Sequence, residues 1–69
     1  MNYLYINKLK GKIVDMGLNV EKLADMIGSD RSTLYRKFNN AEKITIGEAV
    51  RIKDALKMND DEAYEIFLA

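Results

Sequence analysis

The 69-residue sequence contains no cysteine, no histidine and no proline. Without cysteine there is no disulfide, and without cysteine and histidine the usual zinc and haem ligands are missing, so we expect no metal site and no cofactor. The lack of thiols fits a cytoplasmic protein. The apolar run near the N-terminus, "YLYI", is far shorter than the ~20 residues that cross a bilayer, and no signal-peptide pattern is visible. We therefore expect no membrane association.

Patterns that carry catalysis are missing as well. No nucleophile has a base beside it, and there is no glycine-rich phosphate-binding loop. The acidic run "NDDE" lacks the ligand spacing and the glycine of a calcium loop and is typical of a helix start. A chain of this length has room for one small core and little space for a buried pocket. We expect one domain over residues 1–69 that is not an enzyme and takes no small-molecule substrate.

The net charge is zero, but the charges are unevenly distributed. Residues 1–44 carry eight basic and five acidic side chains, whereas residues 45–69 carry three basic and six acidic ones. Such a polarised molecule can be oriented by a polyanion without long-range net attraction. Ordinary solvated surface explains the same distribution equally well, so charge alone does not decide between the two.

Apolar residues follow helical spacing almost throughout, and the alternation typical of strands does not persist. We predict an all-α, compact five-helix domain with helices over residues 2–16, 20–27, 31–39, 46–58 and from 60 onward. Asn19, Asp30, Thr45 and Asn59 are predicted N-caps, the last two in capping boxes. Gly28 and Asn40 are expected in left-handed positions after their helices. The predicted buried positions are Ile6, Leu9, Ile13, Met16, Leu23, Ala24, Ile27, Leu34, Phe38, Ala49, Ile52, Leu56, Ala63, Ile66 and Phe67, with Met26 and Met58 in the core or at its boundary.

The segment "GSDRSTLYRKF", residues 28–38, has only Leu34 and Phe38 as apolar anchors. Residues 28–30 leave too little chain for the flanking helices to lie antiparallel, so we predict that they cross steeply, as in a helix-turn-helix. Ala24 is small enough to let the two backbones approach. On a helical wheel, Ser32 and Arg36 lie opposite the anchors, which predicts a polar, outward-facing helix.

The stretch "GLNVEKLADMIGSDRSTLYRKFNN", residues 17–40, resembles the helix-turn-helix of the phage repressor and Cro class, the Xre-type family. Leu23, Ala24, Gly28 and Leu34 match its inner apolar pair, turn glycine and recognition-helix anchor without a gap. The resemblance implies a lambda-repressor-like fold, a helix-turn-helix over about residues 20–39, and sequence-specific DNA binding in transcription regulation. The length and the ending "EIFLA" look most like small regulators encoded by phages of Gram-positive bacteria.

Two positions depart from the family pattern. Val20 stands where the family usually has a glutamine that holds a phosphate, and Lys37 stands where it usually has an apolar residue, so that Phe38 takes over as anchor. The resemblance places helix 31–39 in the major groove. Its base-reading positions fall on Arg31, Ser32, Tyr35 and Arg36. The residues expected around the DNA phosphates are Asn19, Lys22, Thr33, Lys37, Asn39, Asn40 and Lys43.

The expected partner is a double-stranded DNA operator bound by a homodimer, because one module this small rarely reaches useful specificity. The apolar ending "YEIFLA", with Tyr3 and Tyr5, is the predicted dimer surface, although these residues can instead close the core. The alternative is a protein-binding module that kept this fold, such as an antirepressor, a repressor modulator or an antitoxin, whose partner is a second phage or host regulator. Zero net charge and Val20 favour it, whereas the basic residues of helix 31–39 favour DNA.

Overall fold

The computed structural model describes residues 6–40 and 44–68, and within these ranges every regular element is an α-helix. The described part of the chain therefore confirms the predicted all-α class. Helices form where apolar residues recur every three or four positions and where a polar side chain caps the first turn. The five helices are α1 Ile6–Asp15, α2 Val20–Ile27, α3 Arg31–Asn40, α4 Ile46–Ala55 and α5 Asp60–Phe67.

The predicted caps are formed. Asn19 Oδ1 accepts the Lys22 N–H at 2.8 Å, and Asp30 Oδ2 accepts the Thr33 N–H at 3.0 Å. Both capping boxes are complete, Thr45 with Glu48 and Asn59 with Glu62. Each cap gives an acceptor to a first-turn N–H that has no partner within its own helix.

Two helix ends differ from the prediction. Helix α4 ends at Ala55 instead of near Met58, because Lys57 has a φ of 53° and turns the chain out of the helix. The Met58 N–H then bonds the Lys53 carbonyl at 3.0 Å, and the Met58 side chain is buried. A buried residue directly after the turn stabilises a helix end of this type. Asn40 was predicted to leave the helix in a left-handed conformation, but it is the last residue of α3.

One core joins the five helices, and its buried residues come from every one of them. Helix α2 packs against α3 and α4, and α1 packs against α5. Each fully buried large aliphatic or aromatic side chain contributes about 1.5–3 kcal/mol relative to exposure. The buried members are Leu9, Ile13, Leu23, Ala24, Ile27, Leu34, Phe38, Ile52, Leu56, Met58 and Ile66.

Several predicted core positions are less buried than expected. Met16 is 37% exposed and so lies at the boundary of the core instead of within it, and Met26, predicted in the core or at its boundary, is 54% exposed. Met16 lies in the turn after α1, and Met26 lies on the edge of α2 beyond the stripe formed by Leu23 and Ile27. The remaining predicted core residues, Ile6, Ala49, Ala63 and Phe67, are partly buried.

Candidate nucleic-acid interface

Helices α2 and α3 are joined by residues 28–30, and their geometry depends on Gly28. Gly28 has φ 71°, as predicted, and the Ser29 N–H bonds the Ala24 carbonyl at 2.9 Å. A Cβ at Gly28 would meet no atom within 4 Å, so the left-handed backbone and not space requires glycine there. Ala24 is fully buried, and α2 packs against both α3 and α4. The steep crossing of the two helices remains a prediction.

One side of α3 is buried and the other faces outward, as the helical wheel predicts. Leu34 and Phe38 are at most 2% exposed, whereas Ser32, Arg36 and Asn39 are exposed. Within residues 6–40 and 44–68, the side chains of Ser32 and Arg36 have no hydrogen-bond or ion-pair partner. Their donors are therefore available to an external acceptor.

Arg31 is exposed and forms a two-point contact with a carboxylate of the preceding helix. Its Nε donates to Asp25 Oδ1 at 3.2 Å, and its Nη2 donates to Asp25 Oδ2 at 2.7 Å. The hydrogen bond from Arg31 lowers the pKa of Asp25 below its ordinary value. The Asp25 carboxylate therefore remains an ionised acceptor at neutral pH.

Tyr35 makes the second contact between α3 and α2. Its hydroxyl donates to Glu21 Oε2 at 2.7 Å, while the residue remains 43% exposed. This hydrogen bond raises the pKa of Tyr35 and lowers that of Glu21, because it stabilises the protonated phenol and the ionised carboxylate. The sequence reading missed this contact and the one between Arg31 and Asp25. No spacing within a single helix signals either contact, because the two partners of each contact lie on different helices, α2 and α3.

Lys37 is occupied by an acid of α4. Its ammonium contacts both carboxylate oxygens of Glu48, at 2.8 and 2.6 Å, and Glu48 also accepts the Thr45 N–H at 2.9 Å. Glu48 is only 8% exposed. The predicted phosphate contact of Lys37 stays a prediction, but this ammonium already has an anionic partner.

The other predicted phosphate-binding residues fall into three groups. Lys22 and Asn39 are exposed, and neither side chain has a partner within the described chain. Asn19 and Thr33 are engaged in the caps of α2 and α3, where the Thr33 hydroxyl donates to Asp30 at 3.2 Å. The Asn40 side chain and Lys43 lie outside the described part of the structure.

A second exposed surface is apolar and lies on α4 and α5. Its most exposed members are Ile46 at 86%, Tyr64 at 60%, Leu68 at 54% and Val50 at 51%. They line one groove between the two helices. The prediction from "YEIFLA" identified the α5 part of this surface but missed the α4 part. Ile66 of the same segment is buried in the core instead, while Tyr3 and Tyr5 lie outside the described residues.

Comparisons with protein-family models, with curated proteins and with solved structures found no match to this chain. The residues of the site itself therefore carry the information about function. Over residues 6–40 and 44–68, no three acidic side chains come together in a way that could hold a metal ion. No helix within those ranges is long and apolar enough to cross a membrane. The arrangement offers a row of exposed hydrogen-bond donors on α3, next to the first turn of α2.

Proposed function

We propose that the protein is a cytoplasmic, sequence-specific DNA-binding transcription regulator of the phage repressor and Cro type. The observation that carries this proposal is the outward face of α3. There Ser32 and Arg36 are exposed and unpaired within the described chain, while Leu34 and Phe38 anchor the opposite face in the core. Water can satisfy such donors on any surface helix, but a helix that reads the major groove requires arginine and hydroxyl donors on its outward face.

In the proposed complex, α3 enters the major groove. Arg36 donates two hydrogen bonds to guanine O6 and N7, and the Ser32 hydroxyl bonds a neighbouring base edge. The N–H groups at the start of α2, apart from that of Lys22, which bonds Asn19, hold a phosphate, because the first turn of a helix has donors without intrahelical partners. Lys22 and Asn39 hold phosphates beside them and fix the register of α3 on the duplex.

The proposed complex contains two copies of the chain. Homodimers of this type place two recognition helices in successive major grooves, ~34 Å apart, on a near-palindromic operator. The apolar surface on α4 and α5 is the proposed contact between copies. Its exposed Ile46, Val50, Tyr64 and Leu68 are at least half accessible, and burying them against a second copy removes apolar area from water.

The proposal is tested by selecting bound duplexes from a random DNA pool. We expect enrichment of one sequence with two inverted half-sites. Affinity for the selected duplex should fall with salt at a log–log slope of about −4 to −5, if about five phosphates are neutralised. Failure to enrich any sequence, together with no binding of random duplex at low salt, would contradict the proposal.

One observation favours the alternative, a helix-turn-helix-fold module that binds another phage or host regulator. Arg31 and Lys37 are already paired with Asp25 and Glu48, while the exposed apolar surface lies on α4 and α5, away from α3. In that case the chain retains no duplex at low salt. The same salt titration therefore separates the two functions.

A further inference from the structure

Two carboxylates of α2 face two of the base-reading candidates of α3. Glu21 and Asp25 are four residues apart on α2, and Arg31 and Tyr35 are four residues apart on α3, so each pair lies on one side of its helix. Asp25 contacts Arg31, and Glu21 contacts Tyr35. All four residues are on the surface, at least partly accessible to solvent. The two contacts therefore form one polar row along the α2–α3 boundary.

We propose that Asp25 and Glu21 are positioning residues, which fix the direction in which Arg31 and Tyr35 form hydrogen bonds with bases. This inference rests on the proposed DNA-binding function and adds a specificity determinant to it. Neither carboxylate needs to touch a base. Each carboxylate binds some of the hydrogen-bonding groups of its partner side chain. The groups that stay free then point in a fixed direction.

For Arg31, the donors that stay free are those at the end of the guanidinium group. Asp25 takes the edge formed by Nε and Nη2. The planar group has five N–H donors, and the opposite fork, formed by Nη1 and the second N–H of Nη2, stays available. That fork matches the O6 and N7 acceptors of guanine. Arg31 held in this way is presented as a two-point donor and not as a mobile charge.

For Tyr35, the group that stays free is the hydroxyl oxygen, acting as a hydrogen-bond acceptor. The phenolic hydroxyl has one proton, which it donates to Glu21, so its oxygen can only accept a further hydrogen bond. In the major groove, the donors are the amino groups of adenine N6 and cytosine N4. Tyr35 therefore favours adenine or cytosine as the base that it contacts and disfavours thymine or guanine, which present a carbonyl oxygen there.

The Asp25–Arg31 pair is too exposed to contribute much to folding stability. Its side chains are 55% and 59% exposed, and ion pairs this accessible add little to stability. A carboxylate beside the DNA face also repels phosphates, so Asp25 lowers sequence-independent affinity. The pair therefore weakens binding to random DNA. It strengthens binding only where Arg31 faces a guanine.

The test compares Asp25→Asn with a matched control, Asp54→Asn, which removes the same charge from an exposed site on α4. Affinity is measured on the selected duplex, on the same duplex with the Arg31-facing guanine replaced, and on random DNA. For the wild type, we expect a guanine preference of roughly 10- to 100-fold. Asp25→Asn should lower that preference by about tenfold and strengthen binding to random DNA, whereas Asp54→Asn should leave the preference unchanged.

A second pair of variants tests Tyr35. Glu21→Ala frees the hydroxyl proton, so the preference for an amino-bearing base should relax and thymine or guanine should be accepted at that position. Tyr35→Phe should remove the preference altogether. Unchanged base preferences in both Asp25→Asn and Glu21→Ala, with the wild type still selecting an operator, would overturn this inference alone. A wild type that selects no duplex would overturn the proposed function and this inference with it.

Discussion

The ammonium of Lys37 lies 2.6 Å from Glu48 Oε2, and the two side chains are only 22% and 11% exposed. The contact joins the recognition-helix candidate α3 to the first turn of α4, where Glu48 also closes the capping box with Thr45. One carboxylate therefore fixes two helices relative to each other.

Removing one member of this pair should destabilise the fold. Glu48→Gln keeps an acceptor for the Thr45 N–H but leaves the Lys37 ammonium without a charged partner. We expect a loss of about 1–3 kcal/mol in the free energy of unfolding, measured by urea denaturation. The double variant with Lys37→Met should recover much of that loss, because a methionine can pack where no charge needs a partner. A double variant as unstable as Glu48→Gln would contradict this explanation.

The same pair predicts an acid-sensitive stability. Burial alone would raise the pKa of Glu48, but hydrogen bonds from Lys37 and the Thr45 N–H together outweigh it and hold the pKa below its ordinary value of 4.5. Since the folded pKa is lowered, the contribution is complete above the unfolded value and is lost as pH falls through the folded one. Denaturation at a series of pH values below neutrality should show this loss. In Glu48→Gln, the free energy of unfolding should fall less below pH 4.5 than it does in the wild type. An equally steep fall in the variant would mean that other carboxylates cause the acid sensitivity.

Enlarging Ala24 tests the approach of α2 and α3. Ala24 is fully buried in α2, which packs against both α3 and α4, so Ala24→Leu should overpack the core there, cost about 1–3 kcal/mol and abolish the proposed DNA binding. Thermal denaturation and binding to the selected duplex measure the two effects. Met26→Leu in the same helix is the control, because Met26 is 54% exposed and should tolerate the change. An unaltered melting curve for Ala24→Leu would show that the packing around Ala24 leaves room for a larger side chain.

The apolar surface on α4 and α5 predicts a change in oligomeric state. Val50→Glu introduces a charge into this surface and should convert the proposed dimer to a monomer in sedimentation equilibrium, with the helical content retained. Val14→Glu is the matched control, because Val14 is 71% exposed on α1, outside that surface. Equal dimerisation of the wild type and Val50→Glu would place the contact between copies elsewhere.

Features that depend on a few neighbouring residues could be predicted from the sequence. The caps at Asn19 and Thr45 and the left-handed Gly28 each follow from residues within one helical turn. Lys57 was missed, because its positive φ depends on the burial of Met58 and not on the lysine itself. Whether a helix continues past such a position is decided by the core.

In the candidate site, too, features set within one helix could be predicted, whereas contacts between helices could not. The exposure of Ser32 and Arg36 follows from the helical period set by Leu34 and Phe38, so the sequence predicts it. The partners of Arg31 and Tyr35 could not be predicted in this way. They depend on how α2 and α3 lie against each other, which no spacing within a single helix determines.

Arg36→Ala is the most direct test of base readout, because Arg36 is exposed and has no partner among the described residues. If Arg36 donates to a guanine, the variant should lose about 1–3 kcal/mol on the selected duplex and accept other bases at one position. Fluorescence anisotropy on the selected and random duplexes measures both effects. Arg51→Ala, which removes an exposed arginine of α4, is the control and should preserve base preference. An equal loss on both duplexes would mean that Arg36 contacts only the phosphate backbone, because a phosphate contact weakens binding to every sequence alike.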